Sequence, residues 1–531
     1  MRNFWLQLWR GNPPGPILFL IGTMTAVLMS VPIIYVAWEA LNAGADRWLR
    51  LLDDRIPGLL WNTGKLTFMV SLFAVTIGVS LAWFVNRTNL PFRKQWQWLL
   101  ALPLVIPPYV GAVAYIIVTG PRGWLYDLWQ SQRWLQAVFS EYPLTIYSFW
   151  GVFFILTLFT YPYVFLIASA ALRKMNRNYE EVARSQGLNT AQIFWKVNLP
   201  FLRPAIGAGA ILIALYVLSD FGAIAMLRYN TFTAAIYYQM GSYDTTSATV
   251  LSVVLIVLTL SVLWIEARTR RKQQYYQTTN TYREPEVLPL GKWKWPVFFF
   301  VGIVFFFAVL LPVVVLIYWS VIGWKAGTID LNFWQYAWNS IKVAGLASVL
   351  SMALALPIIY MKSRYPSVLT QAIEKLSYAG YALPGVIVAI GMIYVYSQYF
   401  TFLYNTYYLI ALAFVIRFLP QAMNAGEASL SLVSPRMDEA ARSLGHPPWR
   451  VMINIIIPSI LPGILAGGAL VFVSSLKELP ATLLLRPPGF DTMAVRIWVD
   501  TREAIYHSAA PAALLIILIS IIPLKYMLKK Y

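Results

Sequence analysis

The sequence predicts an all-α polytopic membrane protein of about twelve transmembrane helices, arranged as two parallel six-helix repeats. Three observations support this prediction. The composition is 59% hydrophobic and only 12% charged, far from that of an average soluble protein. Apolar runs recur along the 531 residues at the length that a bilayer core requires, about 20 residues per helix. A polar segment set between such runs occurs twice, once in each half of the chain.

The apolar runs place the individual helices. The first six predicted spans are residues 16–38, 64–86, 97–118, 146–171, 203–226 and 247–266. The second six are residues 295–320, 340–361, 376–398, 406–428, 459–482 and 509–528. The fifth and eleventh runs are interrupted by polar residues. The first run is longer than the roughly 7 to 15 apolar residues of a secretory signal, so we expect it to be retained as a span.

Clusters of Lys and Arg close to the span ends indicate the orientation. They fall on one side of the predicted spans, and that side also carries both termini and both copies of the polar segment. The clusters include Arg2 and Arg10, Arg87, Arg93 and Lys94, Arg173, Lys174 and Arg177, Lys362 and Arg364, and Lys525, Lys529 and Lys530. We therefore expect both termini in the cytoplasm. Because these charges sit between apolar runs, they indicate orientation in a lipid bilayer and argue against a nucleic-acid partner.

The repeated polar segment spans residues 180–200 and 438–458. Matched positions differ by 258 without a gap, as in Glu181 and Glu439 (439 − 181), Gly187 and Gly445 (445 − 187), and Pro200 and Pro458 (458 − 200). Each copy begins with a Glu-Ala-rich stretch that favours a helix, is broken by the glycine, and ends at a proline that we expect to stop the helix. Such a segment presents one helix to the cytoplasm, which is the shape of a docking element.

The repeat divides the chain into residues 1–267 as the first six-span half, 268–294 as a cytoplasmic linker and 295–531 as the second half. The linker is polar and basic and could rest on anionic lipid. The distance from Asn62 to Gly187 is 125 positions, whereas the distance from Asn339 to Gly445 is 106. We place the 19 additional residues of the first half in the external loop around residues 119–144.

Two carboxylates lie within predicted spans at matching positions, Asp220 in the fifth and Glu478 in the eleventh (478 − 220 = 258). An acidic side chain inside a membrane is energetically costly enough to suggest a role, and carboxylate oxygen suits a hard cation. We therefore take Asp220 and Glu478, with Arg417, as candidates for a translocation path, the two acids serving as transient metal ligands. The alternative is that Glu478 merely neutralises Lys477 or Arg417, and Asp220 an unidentified partner.

A second matched pair, Arg228 and Arg486 (486 − 228 = 258), lies near the external ends of the same spans. These side chains could contact a docking partner or anionic headgroups, or simply extend to the membrane surface.

The polar segment resembles the EAA loop of permease subunits of ATP-binding-cassette importers. The matching residues are Glu181, Ala183, Gly187 and Pro200 in the first copy and Glu439, Ala440, Ala441, Gly445 and Pro458 in the second. Val182 and Ile457 are mild apolar departures from the pattern. In that family the loop forms a coupling helix that sits in a groove of the ATPase subunit. The resemblance covers nearly the whole chain and implies a fused permease of the type I importer fold.

This resemblance implies the partners and the compartment. We expect two ATPase subunits on the cytoplasmic side, an external solute-binding protein and a bacterial inner membrane. The sequence has no cysteine and no Gly-x-x-x-x-Gly-Lys-Ser/Thr phosphate loop, HExxH or GxSxG motif, so it predicts no active site and no resident cofactor. ATP and magnesium are accordingly expected on the separate ATPase.

A second resemblance concerns the substrate. Residues 477–498, their first-half partner 219–238, and the stretches 160–166 and 417–420 are similar to ferric-iron importer permeases. Thiamine, polyamine and sulfate permeases share parts of these stretches and remain alternatives. A secondary transporter driven by an ion gradient is the alternative from another class, although it has no use for paired cytoplasmic docking motifs. A membrane receptor or scaffold that moves no solute is a further alternative.

Overall fold

The computed structural model of the protein describes residues 14–121, 123–270 and 287–529. Arg2, Arg10 and Lys530 and most of the predicted linker, residues 271–286, lie outside the described residues. The described part is built of helices and contains one isolated parallel bridge, between Thr88 and Leu288. The structure thus confirms the predicted all-α class.

Fourteen α-helices form the first half of the described chain. They are α1 (Pro16–Leu41), α2 (Ala45–Asp54), α3 (Ile56–Arg87), α4 (Arg93–Leu99), α5 (Pro108–Thr119), α6 (Trp124–Ser131), α7 (Arg133–Val138), α8 (Phe149–Lys174), α9 (Asn178–Ser185), α10 (Thr190–Ile193), α11 (Leu199–Ser219), α12 (Gly222–Met226), α13 (Phe232–Gly241) and α14 (Thr245–Arg270). Helices α6 and α7 lie in the loop around residues 119–144, to which the sequence assigns the additional residues.

Twelve α-helices form the second half of the described chain. They are α15 (Lys294–Phe305), α16 (Leu311–Ala326), α17 (Phe333–Arg364), α18 (Val368–Ala379), α19 (Gly385–Gln398), α20 (Tyr407–Leu430), α21 (Pro435–Ser443), α22 (Pro448–Val451), α23 (Ile457–Leu476), α24 (Pro480–Leu485), α25 (Met493–Arg502) and α26 (Tyr506–Lys529).

Fewer continuous spans are present than the twelve predicted. Within the described ranges, ten helices are long and apolar enough to cross a membrane, or eleven if one bent pair is counted as a span. The bent pair replaces the predicted span 97–118, where a 91° bend separates the helix ending at Leu104 from the helix beginning at Pro108. The predicted span 376–398 is likewise divided, between α18 and α19. Both breaks follow an Ala-Leu-Pro sequence, at Pro103 and at Pro384, because proline removes a helical hydrogen bond and disfavours helical geometry in the residue before it.

The prediction that Pro200 and Pro458 stop a helix is wrong. One π-helical turn precedes each proline, at Phe194–Asn198 and at Met452–Ile456, and the chain continues directly into α11 and α23. A π turn widens the backbone locally, and proline is tolerated in the first turn of a helix. The fifth and eleventh spans therefore begin earlier than predicted and run Phe194–Ser219 and Met452–Leu476.

The two halves pack with matching internal arrangements. Helices α3, α8 and α11 contact one another in the first half, as α17, α20 and α23 do in the second. The sequence Trp-Asn-Thr at residues 61–63 matches Trp-Asn-Ser at residues 338–340. Its asparagine makes the same contact in both halves, since the Asn62 and Asn339 side-chain amides donate to the Asn230 and Asp491 carbonyls at 3.1 and 3.0 Å.

The first span of each half contacts the other half. Helix α1 contacts α17, α18 and α19, whereas α16, which with α15 forms the span Gly291–Ala326, contacts α5. Rings of Tyr35 and Tyr394 stack with their centroids 5.2 Å apart, and the Tyr115 hydroxyl donates to the Phe307 carbonyl at 2.7 Å. The two sequence repeats are therefore interlocked, although the boundaries proposed between them remain a prediction.

Gly78 lies where α3 and α8 approach closely. A Cβ atom at Gly78 would lie 2.8 Å from the Tyr161 carbonyl oxygen and 3.1 Å from the Phe165 amide nitrogen, whereas a Cβ at Gly64 of the same helix meets no atom within 4 Å. We expect Gly78→Ala to destabilise the protein by about 1–3 kcal/mol through overpacking, and Gly64→Ala to have no such cost. Thermal unfolding of both variants in detergent measures this, and equal midpoints would contradict the proposed contact.

Candidate functional site

The repeated polar segments form two short helices, α9 and α21, that lie between spans. Each ends in the same cap: Leu188 donates to the Ala183 carbonyl and His446 to the Ala441 carbonyl, both at 3.2 Å. This arrangement requires a left-handed residue just past the helix. Gly187 and Gly445 provide it, with φ values of 82° and 85°. The glycines identified in the sequence are therefore needed for the backbone turn that ends each helix.

The side chains of the two segments divide into a buried and an exposed face. Ala183 and Ala441 are buried, so they pack each short helix against the spans. Glu439 and Ala440 are exposed, and Glu181 is partly exposed and forms an ion pair with Arg177 at 2.7 Å. Exposed apolar side chains accompany them, Val182 in the first copy and Leu444 in the second. Each helix thus presents a surface of charged and apolar side chains away from the spans.

A buried ion pair attaches each short helix to a transmembrane helix. Arg87, the last residue of α3, pairs with Glu180, and both side chains are almost fully buried. Arg364, the last residue of α17, pairs with Asp438 at 3.0 Å. The two arginines are equivalent in the repeat (364 − 87 = 277), as are the two acids (438 − 180 = 258). Breaking a buried pair leaves an uncompensated charge, so these contacts hold helix and span together.

Sequence reasoning missed these four residues. It interpreted Arg87 and Arg364 only as orientation charges. It placed Glu180 and Asp438 at the start of the polar segments but gave them no role, since the motif was matched from the next residue. The available signal was the spacing of the two arginines, which equals that of Asn62 and Asn339 (339 − 62 = 277).

The two attachments differ in their surroundings. Asp438 also accepts a hydrogen bond from the Tyr360 hydroxyl at 3.2 Å, and Arg442 donates to the Tyr365 hydroxyl at 2.9 Å. On the first-half side, the end of the linker contacts the backbone instead, because the Leu288 amide donates to the Arg87 carbonyl at 2.8 Å. The two short helices are equivalent in sequence position but not in their supports.

A cavity of about 480 Å³ lies between the halves. The break after α4 lines one side with residues 103–109, and α20, α23 and the segment around Lys477 line another. Non-helical backbone at membrane depth is tolerated where it lines a cavity. Asp220, Arg417 and Lys477 are the charged residues among those that line it.

The two intramembrane acids occupy equivalent structural positions. Asp220 follows the end of α11 and accepts a hydrogen bond from the Ile224 amide at 3.3 Å. Glu478 follows the end of α23 and accepts one from the Ala481 amide at 3.4 Å. Each carboxylate thus caps the short helix after it, a favourable place for negative charge.

Their charged partners are different. Glu478 forms an ion pair with Arg417, and the two side chains are 7% and 12% exposed. Of the two partners considered for Glu478 in the sequence, Arg417 is the one in contact, since Lys477 donates to the Leu104 carbonyl at 2.8 Å. No ion pair joins Asp220 to a basic side chain in the described part of the chain.

The matched arginines near the opposite ends of these spans are also engaged. Arg228 has a left-handed backbone and its guanidinium lies 5.1 Å from the ring centre of Tyr147. Arg486 forms an ion pair with Asp491. These contacts show how the side chains are held and identify no external partner.

Comparison with known proteins assigns the class. The family of binding-protein-dependent transport system inner membrane components matches residues 74–275 and 348–526. The chain belongs to this family. Each matched range contains one short helix with its buried ion pair and one half of the cavity lining, so the repeat inferred from the sequence corresponds to two copies of the family domain.

Three curated relatives illustrate the likeness of this inner membrane component. An Fe(3+)-transport system permease protein of Haemophilus influenzae, FbpB 2, is 33% identical, and the alignment covers 99% of this chain and 98% of that protein. The ferric transport system permease protein FbpB of Actinobacillus pleuropneumoniae is 23% identical over 88% of this chain and 72% of that protein. The thiamine transport system permease protein ThiP of Escherichia coli is 22% identical over 94% of both chains.

Membership of this family settles the functional class. The chain is a multi-pass transport permease of the inner membrane and not an enzyme, and its family works with a separate ATPase and a binding protein. The alternatives of an ion-gradient-driven secondary transporter and of a scaffold without transport are thereby set aside.

The buried pair between Arg87 and Glu180 yields a stability prediction. We expect Glu180→Ala to destabilise the protein by about 3–5 kcal/mol because it leaves the arginine charge buried and unpaired. The control Glu181→Ala removes a partly exposed pair and should cost no more than about 1 kcal/mol. Thermal unfolding in detergent gives both values.

A double variant separates loss of the charge pair from loss of packing. Replacing Arg87 and Glu180 together with Leu removes both charges, and we expect it to be more stable than Glu180→Ala alone. If Glu180→Ala and Glu181→Ala had the same unfolding midpoint, the attachment of α9 through Glu180 would be refuted.

Proposed function

We propose that this chain is the membrane-spanning permease of an ATP-driven importer of ferric iron, with both six-helix halves fused in one polypeptide. The observation that carries the substrate is the full-length alignment, at 33% identity, with a permease named for Fe(3+) transport. The thiamine permease aligns over a similar length at 22% identity. Thiamine, polyamine and sulfate are the alternative substrates within the same class.

The proposed contact sites for the ATPase subunits, where ATP hydrolysis acts on this chain, are α9 and α21. Two ATPase subunits dock there, one on each helix, through Glu181, Ala183 and Gly187 on one side and Glu439, Ala440, Ala441 and Gly445 on the other. ATP and magnesium bind to those subunits, and this chain holds no cofactor. In support, both helices end in the same glycine cap and continue through Pro200 and Pro458 into the spans α11 and α23.

The force then passes to the spans through the buried ion pairs. Arg87 and Arg364 are the last residues of α3 and α17, so a displacement of either short helix acts directly on a long span. Closure of the ATPase subunits would rock one half against the other and open the central cavity to each side in turn, a rigid-body transition between two packed arrangements.

The proposed substrate path runs through the cavity between the halves, past Asp220 and the Arg417–Glu478 pair. An external binding protein delivers the ferric ion or its chelate to the opening away from the ATPase. Both termini lie in the cytoplasm, in accordance with the distribution of basic residues at the span ends.

Substitution of the cap glycines tests the docking. A side chain at Gly187 or Gly445 meets no atom within 4 Å, but the positive φ is strained for any other residue. We expect the double variant Gly187→Val and Gly445→Val to lower ATPase recruitment and transport about tenfold or more, because the cap that orients each helix is lost.

The matched control for this test is Gly207→Val. Gly207 lies inside α11 and also has open space around it, but its φ is not positive. Recruitment is measured by co-purification of the ATPase with the permease. Unchanged assembly and unchanged uptake in the Gly187 and Gly445 double variant would refute the docking proposal.

The substrate is tested with the reconstituted complex of permease and ATPase. We expect ATP hydrolysis to be stimulated by an iron-loaded binding protein and not by thiamine-, sulfate- or polyamine-loaded ones. Stimulation by a non-iron partner alone would reject ferric iron while leaving the permease function intact.

A further inference from the structure

The repeat symmetry is broken at a charged position of the cavity that contacts one of the two intramembrane acids. Arg417 on α20 corresponds to Phe159 on α8 (417 − 159 = 258), and the prolines that follow, Pro420 and Pro162, keep the same spacing (420 − 162 = 258). Both Phe159 and Arg417 line the cavity. The second half thus carries a guanidinium where the first half carries an apolar ring.

On the second-half side of the cavity, the acidic side chain already has a basic partner. Arg417 is paired with Glu478, and little of either side chain is exposed. A carboxylate that already has a buried cationic partner offers little net attraction to a further cation. Arg417 therefore occupies the place that a cation would take beside Glu478.

On the first-half side of the cavity, the acidic side chain has no basic partner among the described residues. Asp220 is 8% exposed and lines the cavity. The hydrogen bonds to its carboxylate come from backbone amides of the short helix it caps, and the Glu478 carboxylate lies within electrostatic range of it. Phe159 provides no charge for it, and the ammonium of Lys477 is engaged by the Leu104 carbonyl. Asp220 is thus a buried acidic side chain with no ion pair within the described chain, and a cation beside it would compensate its charge.

Two tyrosines of the cavity wall lie close to Asp220 in the fold. Tyr216 lies one turn before Asp220 on α11, and the Asp220 amide donates to its carbonyl at 2.8 Å. Tyr109 packs against Gly222, where its Cβ lies 2.8 Å from a Cβ built on the glycine, and its buried hydroxyl has no hydrogen-bond partner among the described residues. Both tyrosines line the cavity. Carboxylate and phenol oxygens are hard donors.

We propose that the importer has one cation-passage site, formed by Asp220 with the hydroxyls of Tyr109 and Tyr216 on the first-half side of the cavity. Arg417 replaces the cation at the equivalent place on the second-half side, and Phe159 keeps the first-half place free of protein charge. This inference rests on the proposed import of ferric iron. It reduces the two candidate acidic ligands to Asp220 alone, since Glu478 is then not a ligand. One carboxylate makes a weak site, and a weak site releases its ion.

The test uses the full permease–ATPase complex in proteoliposomes with an iron-loaded binding protein, and measures both radioactive iron uptake and ATP hydrolysis. Asp220→Asn keeps an oxygen that can cap α12 but removes the charge. We expect iron uptake to fall about tenfold or more, because the ion loses its only charged ligand, while ATP hydrolysis stimulated by the binding protein persists. Asp220→Glu restores the charge and should recover much of the uptake.

A second variant adds the missing counter-ion. Phe159→Arg places a guanidinium where Arg417 lies in the other half, and we expect it to pair with Asp220 and block iron uptake to the same extent as Asp220→Asn. The matched control, Phe159→Met, keeps an apolar side chain and should retain most of the uptake. Size-exclusion profiles and co-purification with the ATPase check that each variant assembles.

Iron uptake at the wild-type rate by Asp220→Asn, or by Phe159→Arg, would overturn the proposed site. Equal losses in Phe159→Arg and Phe159→Met would also overturn it, because the loss would then follow from packing. These failures are distinct from failure of the proposed function, in which the wild-type complex itself imports no iron.

Discussion

Compensation of buried charge is the constraint on which this structure depends most. At the ends of α3 and α17, Arg87 and Arg364 are removed from water and remain there only because Glu180 and Asp438 face them. Losing either partner would leave a charge without solvent or counter-ion. Each short helix is therefore held to a span by a contact that resists separation. A docking surface on such a helix can displace a span.

The same constraint shapes the cavity between the halves. Prolines break two spans, and the break at Leu104 frees a carbonyl that receives the Lys477 ammonium from the other half. The guanidinium of Arg417 compensates Glu478, whereas Asp220 has only helix amides in the described chain. The broken helices, the cavity and the intramembrane charges consequently occur at the same place. Irregular backbone and charge inside a membrane both need polar surroundings, and the cavity provides them.

Much of the fold was predictable from apolar length, since helices such as α8 and α20 need only hydrophobic runs of sufficient length. The predicted spans 97–118 and 376–398 were wrong as continuous helices because hydropathy measures side chains and ignores the backbone break that Pro103 and Pro384 impose. The same measure could not show that α1 and α16 each contact the other half, since both are apolar over their whole length.

The sequence by itself determined the membrane class, the two repeats and the positions of the two short helices with their glycine caps. These features depend on local composition and on spacing along the chain. Only the tertiary structure decided which charges meet: Arg87 with Glu180, Arg417 with Glu478, and no basic partner for Asp220 in the described residues. The physical reason is that an alignment of repeats shows which positions are equivalent, whereas the energy of a charge depends on its neighbours in space.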